Sequence, residues 1–374
     1  MSDSPTQAPD RLVGVQFVNT LARADGGPAR NSLEVNLALN ALSGVAIRMF
    51  WFSGNADDSV LRGEARAAPL VASVVGRRWQ ALRAIRHADV AIMHGFYLWW
   101  VPLVALACAV SGVPYVIMPH GVFTAFQRTH SQGRKRIFDT LGGRSILRRA
   151  AAVVVASPSE RDELLEFAPD TRTAITGVGT GVVAHPAVGP AHTPATLVSM
   201  SRIAPKKRID VVIETIAELR RRNVAARLSI AGTGDETLVA NLHALAKQLG
   251  VEDSVDFVGE IAGERKRDLL TGSDVFLAPS EDENFGIAVA EALAHGLPVV
   301  ATERVSSAAI ADGEAGVVIP SPSAERAADA VIALLEHDDF ASLRARATQL
   351  ATQHYAWSAV GRQWEAALRR AAGR

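Results

Sequence analysis

Short runs of apolar, β-branched residues alternate with segments of helical period from Leu12 to Ile319, and no other feature constrains the fold of this chain as strongly. In the first half the runs are "LVGVQFV" (Leu12 to Val18), "VAIRMFWF" (Val45 to Phe52), "DVAIM" (Asp89 to Met93), "PYVIMP" (Pro114 to Pro119) and "AAVVVAS" (Ala151 to Ser157). In the second they are "ATLVSMS", "ARLSIAG", "VDFVG", "DVFLAPS", "PVVAT" and "AGVVI". Continuous apolar runs bounded by Gly and Pro, each followed by a helix, are the pattern of parallel strands covered on both faces. The pattern occurs twice, and 374 residues exceed one ordinary core, so the fold class is α/β with two Rossmann-like, doubly wound domains. The Gly- and Pro-rich stretch from Thr176 to Ala195 reads as the linker. It divides the chain into an N-terminal domain, 1–190, and a C-terminal domain, 191–356, with a last helix at about 357–374 packing back on the first. Ligands of open α/β sheets bind beyond the carboxyl ends of strands, so two such domains facing each other would enclose a cleft.

Apolar residues make up 48% of the chain and charged residues 21%, which excludes a disordered or bilayer-resident protein. The opening "MSDSPTQAPD" has neither the basic nor the apolar region of a signal peptide and reads as a polar tail. The longest apolar stretch, Phe96 to Val110, falls short of the roughly 20 residues of a membrane span and reads as a buried helix. It holds the single cysteine, Cys108, as core filler rather than nucleophile, which suits a reducing cytoplasm. The formal net charge is zero, and nucleic acid is not an expected partner. Residues 1–190 nevertheless hold 19 basic against 14 acidic side chains and the remainder 20 against 25, so the first half is the one suited to an anionic partner.

The chemistry-bearing motifs follow strands. Gly26 and Gly27, after the first strand, let backbone approach a ligand, with Pro28 opening a helix; a plain tight turn is the alternative. "MPHGVF" sets His120 and Gly121 at a strand end, where the imidazole could bond a sugar hydroxyl or phosphate oxygen. His94, in "IMHGF", repeats the arrangement with less support, and a structural histidine is the commoner case. Arg202 and Lys207, in "SRIAPKK", are a guanidinium and an ammonium suited to the two phosphates of a diphosphate, or else charges of a solvated loop. "AGTGDE" supplies Gly232 and Gly234 but Thr237 where a dinucleotide fingerprint requires its third glycine, which argues against a nicotinamide enzyme.

"PSEDENFGIAVAEALAHG" carries the most. Ser280 and Glu283 have capping-box spacing, which predicts a helix beginning just after Asn284. The amides of Phe285, Gly286 and Ile287 would then face a phosphate or sugar hydroxyls at the favourable end of the helix dipole. Glu283 would border that ligand. Glu291 lies two turns deeper and could accept both hydroxyls of a ribose. The alternative is a cap at Glu283 and a structural salt bridge at Glu291.

These motifs together resemble the retaining glycosyltransferases of family four, which have the GT-B fold of two facing Rossmann-like domains. The resemblance rests on Gly26-Gly27, "PHG", "SRIAPKK", "AGTGDE", "VDFVGEI" and the Glu283/Glu291 pair, and it runs almost the full length. It implies retaining transfer of a sugar from a nucleotide diphosphate sugar to a glycan or lipid-diphosphate-linked acceptor in polysaccharide or glycoconjugate assembly. By the same resemblance Arg202 and Lys207 hold the diphosphate, Glu283 meets the donor sugar, Glu291 meets the ribose, His120 sits beside the transferred sugar and Gly27 abuts the donor phosphates. "SEDE" is not a D-x-D metal motif, so no metal and no cofactor beyond the nucleotide sugar are expected. The chain departs from the family at Arg208, where glycine is common, and in "ERVSSAAIADGEAG", where Ser and Ala replace glycine and acid. A catalytically silent nucleotide-sugar-binding or scaffold subunit is the rival reading. The basic run from Arg128 to Arg149 reads either as a solvated helix face or as a contact with a lipid-linked acceptor or the anionic inner face of the cell membrane.

Overall fold

The computed structural model describes residues 11–22, 27–53, 71–73, 78–123 and 138–374. They form two compact units, one of residues up to Gly179 together with Trp357–Arg374, the other Thr180–Ala356. The chain therefore crosses between units at Gly179, inside the Thr176–Ala195 linker and before the boundary expected at 190. From Thr180 onward the segment is bonded to the second unit: Thr180 donates to the Tyr355 carbonyl at 2.6 Å, Ala187 donates to His295 at 2.7 Å, and the buried Asp274 carboxylate accepts the His192 and Thr196 amides. Asp274 is neutralised by the equally buried Arg344, whose Nη2 lies 2.7 Å away.

The first unit runs β1 (Leu12–Thr20), α1 (Gly27–Asn40), β2 (Val45–Ser53), β3 (Val71–Ser73), α2 (Arg78–Arg86), β4 (Val90–His94), α3 (Val101–Ser111), β5 (Tyr115–Met118), α4 (Arg144–Arg149), β6 (Ala152–Val155), α5 (Pro158–Phe167) and β7 (Thr173–Ile175). Its sheet has seven parallel strands in the order β3-β2-β1-β4-β5-β6-β7. Successive side chains leave a strand on opposite faces, and the core divides accordingly. Val15, Phe17, Ala91, Met93, Tyr115 and Ile117 pack with α2, α3, α4 and α5, whereas Ile92, Val116, Met118 and Val154 pack with α1 and the C-terminal helix.

The second unit runs β8 (Ala195–Met200), α6 (Ile209–Arg221), β9 (Ala226–Ala231), α7 (Glu236–Gln248), β10 (Val255–Gly259), α8 (Gly263–Thr271), β11 (Val275–Ala278), α9 (Ile287–Ala294), β12 (Val299–Thr302), β13 (Gly316–Ile319), α10 (Ala324–Leu335) and α11 (Phe340–His354). Its six strands are parallel in the order β10-β9-β8-β11-β12-β13. The last helix, α12 (Trp357–Ala371), belongs to the first unit, where Trp364 and Leu368 are buried against Leu12, Val35 and Leu39. In each sheet the strand order reverses at one place, between β1 and β4 and between β8 and β11. At such switch points the flanking loops part and leave room for a ligand.

The apolar stretch at Phe96 to Val110 corrects its sequence reading. Helix α3 buries Val101, Val104, Ala105 and Cys108, and burial pushes the Cys108 thiol up to about 12. Its other face is apolar and open to solvent: Leu103, Leu106 and Val110 are exposed, Val110 by 78%, as is Trp99 just before the helix. A helix on the outside of an α/β layer has only one side to bury, whatever its composition.

Candidate functional site

In the second unit the loops after β8 and β11, on either side of the switch point, are tied together. The Glu281 amide donates to the Lys206 carbonyl at 2.8 Å, Lys206 Nζ pairs with Asp282 at 2.7 Å, and Lys207 Nζ bonds Glu283 Oε2. Lys207 closes the one-turn 3-10 segment Pro205–Lys207. Arg202 is exposed, and its guanidinium engages no acceptor among the described residues. Arg208 occupies the left-handed region at φ 52°, a conformation that suits the glycine expected there from the family resemblance. Its guanidinium is committed to Asp210, at 2.8 to 3.1 Å, and to Glu281 at 2.6 Å, and these carboxylates push its pKa up. It stabilises the loop and is not spare for a phosphate.

The helix after "DENFG" starts at Ile287 and its cap is Gly286, not the capping box expected from Ser280 and Glu283. Ser280 is buried with its carbonyl accepting from Thr302 Oγ1 at 2.5 Å, Glu283 is turned to Lys207, and no side chain caps the helix. Gly286 has φ 90°, and a Cβ there would overlap Val305 and Ser307. A left-handed turn in so little space requires glycine. No described residue accepts from the backbone N–H of Phe285, Gly286 or Ile287, as expected of the first turn of a helix. The Phe285 ring is buried edge-on to Tyr355, with centroids 5.4 Å apart, and Asn284 stands just before it in the turn. Ser307, at one of the positions departing from the family pattern, bonds this turn from behind: its hydroxyl donates to Gly286 and its amide to Phe285.

Glu291, on α9, pairs with Lys266 of α8 at 2.7 Å. The sequence reading had no means of finding Lys266, which lies 25 residues away on another helix. Gly232, at φ 135°, adopts that conformation against the Ser201 carbonyl, which a Cβ would overlap. It brings the loop after β9 against the loop carrying Arg202, with Ile203 donating to Thr233 at 2.8 Å. This packing is its demonstrable role.

In the first unit Gly26 lies outside the described residues. Gly27 is the first residue of α1, with open space where its Cβ would stand, and Pro28 follows it. His120 is in the left-handed region at φ 56°, uncommon for a residue with a Cβ and often a mark of a functional site. The turn is held by Glu160, a buried carboxylate that accepts the Gly121 amide at 2.7 Å and the Ala156 amide at 2.8 Å. Glu160 was legible in principle: Ser157 and Glu160 have capping-box spacing, and Ser157 Oγ caps α5 by accepting the Glu160 amide at 3.1 Å. The imidazole of His120 stacks on that of His94, with centroids 5.1 Å apart, and a 3.0 Å bond joins His94 Nδ1 to His120 Nε2. Burial lowers the pKa of His120 to about 4, and burial followed by the His120 charge lowers that of His94 well below the usual range.

Two doubly wound units, one with cations and a helix N-terminus beside its switch point, form an arrangement suited to an anionic ligand. The model of the family "Glycosyl transferases group 1" matches residues 184–354, and that of "Glycosyltransferase Family 4" matches residues 59–183. The chain is 30% identical over 305 residues to a GDP-mannose:cellobiosyl-diphosphopolyprenol alpha-mannosyltransferase of Xanthomonas oryzae, covering 80% of this chain and 76% of that one. It is 30% identical over 218 residues to a D-inositol 3-phosphate glycosyltransferase of Corynebacterium aurimucosum, covering 57% of this chain and half of the relative's length. Among solved structures it resembles Anabaena Alr3699/HepE in complex with UDP, with a TM-score of 0.71 at 16% identity over 95% and 99% of the two chains. It also resembles a sucrose-phosphate synthase of Thermosynechococcus elongatus, with a TM-score of 0.67 at 19% identity over 95% and 98%. The chain belongs to glycosyltransferase family four, and its fold is GT-B.

Proposed function

We propose that the chain is an active, retaining and metal-independent glycosyltransferase that moves a sugar from a nucleoside diphosphate sugar to a glycan or lipid-diphosphate-linked acceptor. One observation carries the reading: at the second switch point the uncommitted Arg202 guanidinium belongs to the same loop as Lys207, which pairs with Glu283 from the loop leading to the open amides of Phe285, Gly286 and Ile287. Cleavage of the donor's C1–O bond leaves negative charge on the departing diphosphate, and fixed cations and amides stabilise that charge without rearranging. Lys207 would then exchange part of its contact with Glu283 for a phosphate oxygen. Glu283 would accept from the sugar hydroxyls and Glu291 from the ribose. In a same-face transfer the acceptor oxygen bonds C1 on the side the diphosphate leaves, and the acceptor proton passes to a departing phosphate oxygen.

The names of the relatives narrow the donors to test. The xanthomonad enzyme is named for GDP-mannose and a diphosphopolyprenol acceptor, and the Anabaena structure holds UDP. Incubation with UDP- and GDP-sugars, with and without lipid-diphosphate-linked glycan acceptors, should release nucleoside diphosphate in an acceptor-dependent way. It should persist in EDTA and give a product with the donor's anomeric configuration by NMR. Nucleotide binding without turnover on any donor would instead make the chain a binding subunit.

An anionic lipid leaflet is the partner the first unit's surface fits. The expected basic run is described only from residue 138 onward, since Arg128, Arg134, Lys135 and Arg136 lie outside the described residues. Arg148 and Arg149, on α4, are exposed. On the same side of the sheet α3 presents its exposed apolar stripe, and the neighbouring α2 adds Trp79, 84% exposed, with Arg83 and Arg86. Tryptophan and leucine flanked by arginines suit the boundary between headgroups and acyl chains, each arginine adding on the order of 1 kcal/mol on an anionic surface. No helix among the described residues is long and apolar enough to cross a membrane, so the contact would be peripheral. The chain should sediment with anionic but not neutral liposomes, and Leu103→Gln with Leu106→Gln should abolish this. Equal recovery in both supernatants would remove the membrane contact, and a dimer in sedimentation velocity that the same variant dissociates would reassign the stripe to a second copy.

A further inference from the structure

A chain of buried polar side chains in the first unit reaches His120 from the far side of α1. The Ile47 amide donates to Asn40 Oδ1 at 3.0 Å, so the Asn40 nitrogen faces onward and donates to Asn36 Oδ1 at 3.2 Å. Asn36 Nδ2 donates to Gln16 Oε1 at 3.0 Å. Gln16 Nε2 donates to the Ser32 carbonyl at 2.8 Å and lies 2.9 Å from His94 Nε2. His94 Nδ1 then meets His120 Nε2 at 3.0 Å. Gln16 and Asn36 are fully buried or nearly so, His94 is 3% exposed, and Trp364 stacks on the outer face of the His94 ring.

Main-chain groups fix the direction of this chain at two places. The Ile47 N–H can only donate and the Ser32 carbonyl can only accept, so neither the Asn40 nor the Gln16 amide is free to turn over. An amide NH2 carries no lone pair to offer, so His94 Nε2 must be the acceptor; a proton there would set donor against donor. His94 is therefore neutral with its proton on Nδ1, which it donates to His120 Nε2. The lone pair of His120 Nε2 is thereby occupied, and the remaining ring proton sits on Nδ1. No bond among the described residues engages His120 Nδ1.

We infer that Gln16 and His94 are positioning residues that lock His120 in its Nδ1–H tautomer, so that the ring acts on the transferred sugar as a fixed hydrogen-bond donor and cannot serve as a base. The lock stands on the bond directions alone; the action on the sugar rests on the proposed glycosyl transfer and on the family resemblance that sets His120 beside the transferred sugar. One consequence bears on the reaction: with the lone pair of His120 Nε2 occupied and Nδ1 already protonated, the acceptor proton must leave by another route, as it does when the departing phosphate oxygen takes it.

The lock can be read without any variant. In the full-length protein labelled with 15N-histidine, long-range 1H–15N correlation spectra should show His94 and His120 as neutral rings protonated at Nδ1 and bare at Nε2, the reverse of the tautomer neutral histidine favours in water. Nε2–H rings at either position would overturn the lock. In turnover, His94→Phe should lower kcat about tenfold with KM for the donor and affinity for free nucleoside diphosphate little changed, and Gln16→Met should do the same more weakly. In a His120→Phe background, His94→Phe should cost nothing further. An additional loss there would show that His94 acts by some other route. The Nδ1–H tautomer with an unchanged kcat in His94→Phe would retain the lock but overturn its part in the reaction.

Discussion

The two sheets share a strand order over six strands, the first adding β7 at its edge, but dress their switch points with opposite chemistry. In the second unit the loops after β8 and β11 carry ion pairs, Lys206–Asp282, Lys207–Glu283 and Arg208–Glu281, all partly open to solvent. In the first, the strand ends carry a neutral hydrogen-bonded chain from Asn40 through Gln16 to His94 and His120, and the buried Glu160 is occupied with backbone amides. The difference matches what each could handle. Partly open pairs such as Lys206–Asp282 and Lys207–Glu283 contribute little to stability and are readily exchanged for an incoming phosphate, while Arg208 stays bound within its loop. A buried neutral chain is rigid and directional, suited to orienting a ring beside an uncharged sugar.

The comparison is broken most severely by removing the free and paired cations together. Arg202→Ala and Lys207→Ala should each lower turnover about ten- to a hundredfold, since bonds to charged groups are worth roughly 1.5 to 3 kcal/mol, and the double variant should lose more. Wild-type turnover in the double variant, with an unchanged circular dichroism spectrum, would move the diphosphate elsewhere.

A smaller effect separates the two glutamates. Glu283→Gln should reduce turnover while leaving affinity for free nucleoside diphosphate close to wild type, because its proposed ligand is the sugar. Glu291→Ala should instead weaken that affinity by about tenfold, the ribose contact being worth about 1.4 kcal/mol at that ratio. Isothermal titration with UDP and GDP distinguishes the cases, and equal loss of nucleotide affinity in both variants would contradict the division of roles.

The smallest effect lies in the first unit and is one of pH. Folded His120 protonates only near 4 and His94 also below its usual range, whereas both protonate near 6.5 when unfolded. Between these values the unfolded chain binds more protons, so stability rises with pH across the window and is lost as pH falls from about 6.5 toward 4. Urea denaturation of wild type against the His94→Phe, His120→Phe double variant should show this loss as the part of the acid destabilisation that the variant lacks. Identical pH profiles would mean that the two rings are not kept neutral by the fold.

Eleven of the thirteen strands among the described residues are legible in the sequence, because a parallel strand buried on both faces must be a continuous apolar run, as in "DVAIM" and "PVVAT". The family motifs are equally local: Arg202, Lys207, Glu283 and His120 each stand a few residues beyond such a run, where the sequence places them without help from the fold. Strands β3 and β7 left no sign, being three-residue edges too short to impose a period. The open face of α3 left none either, since apolar composition does not say which side of a helix meets a neighbour. Tertiary structure alone decided the partners: Lys266 for Glu291, Glu160 for the Gly121 turn, and the path from Gln16 to His94 to His120, whose links span 78 and 26 residues. Strand periodicity follows from each residue's own backbone and side chain. A hydrogen bond between distant residues exists only once the sheet has set the strands bearing them side by side.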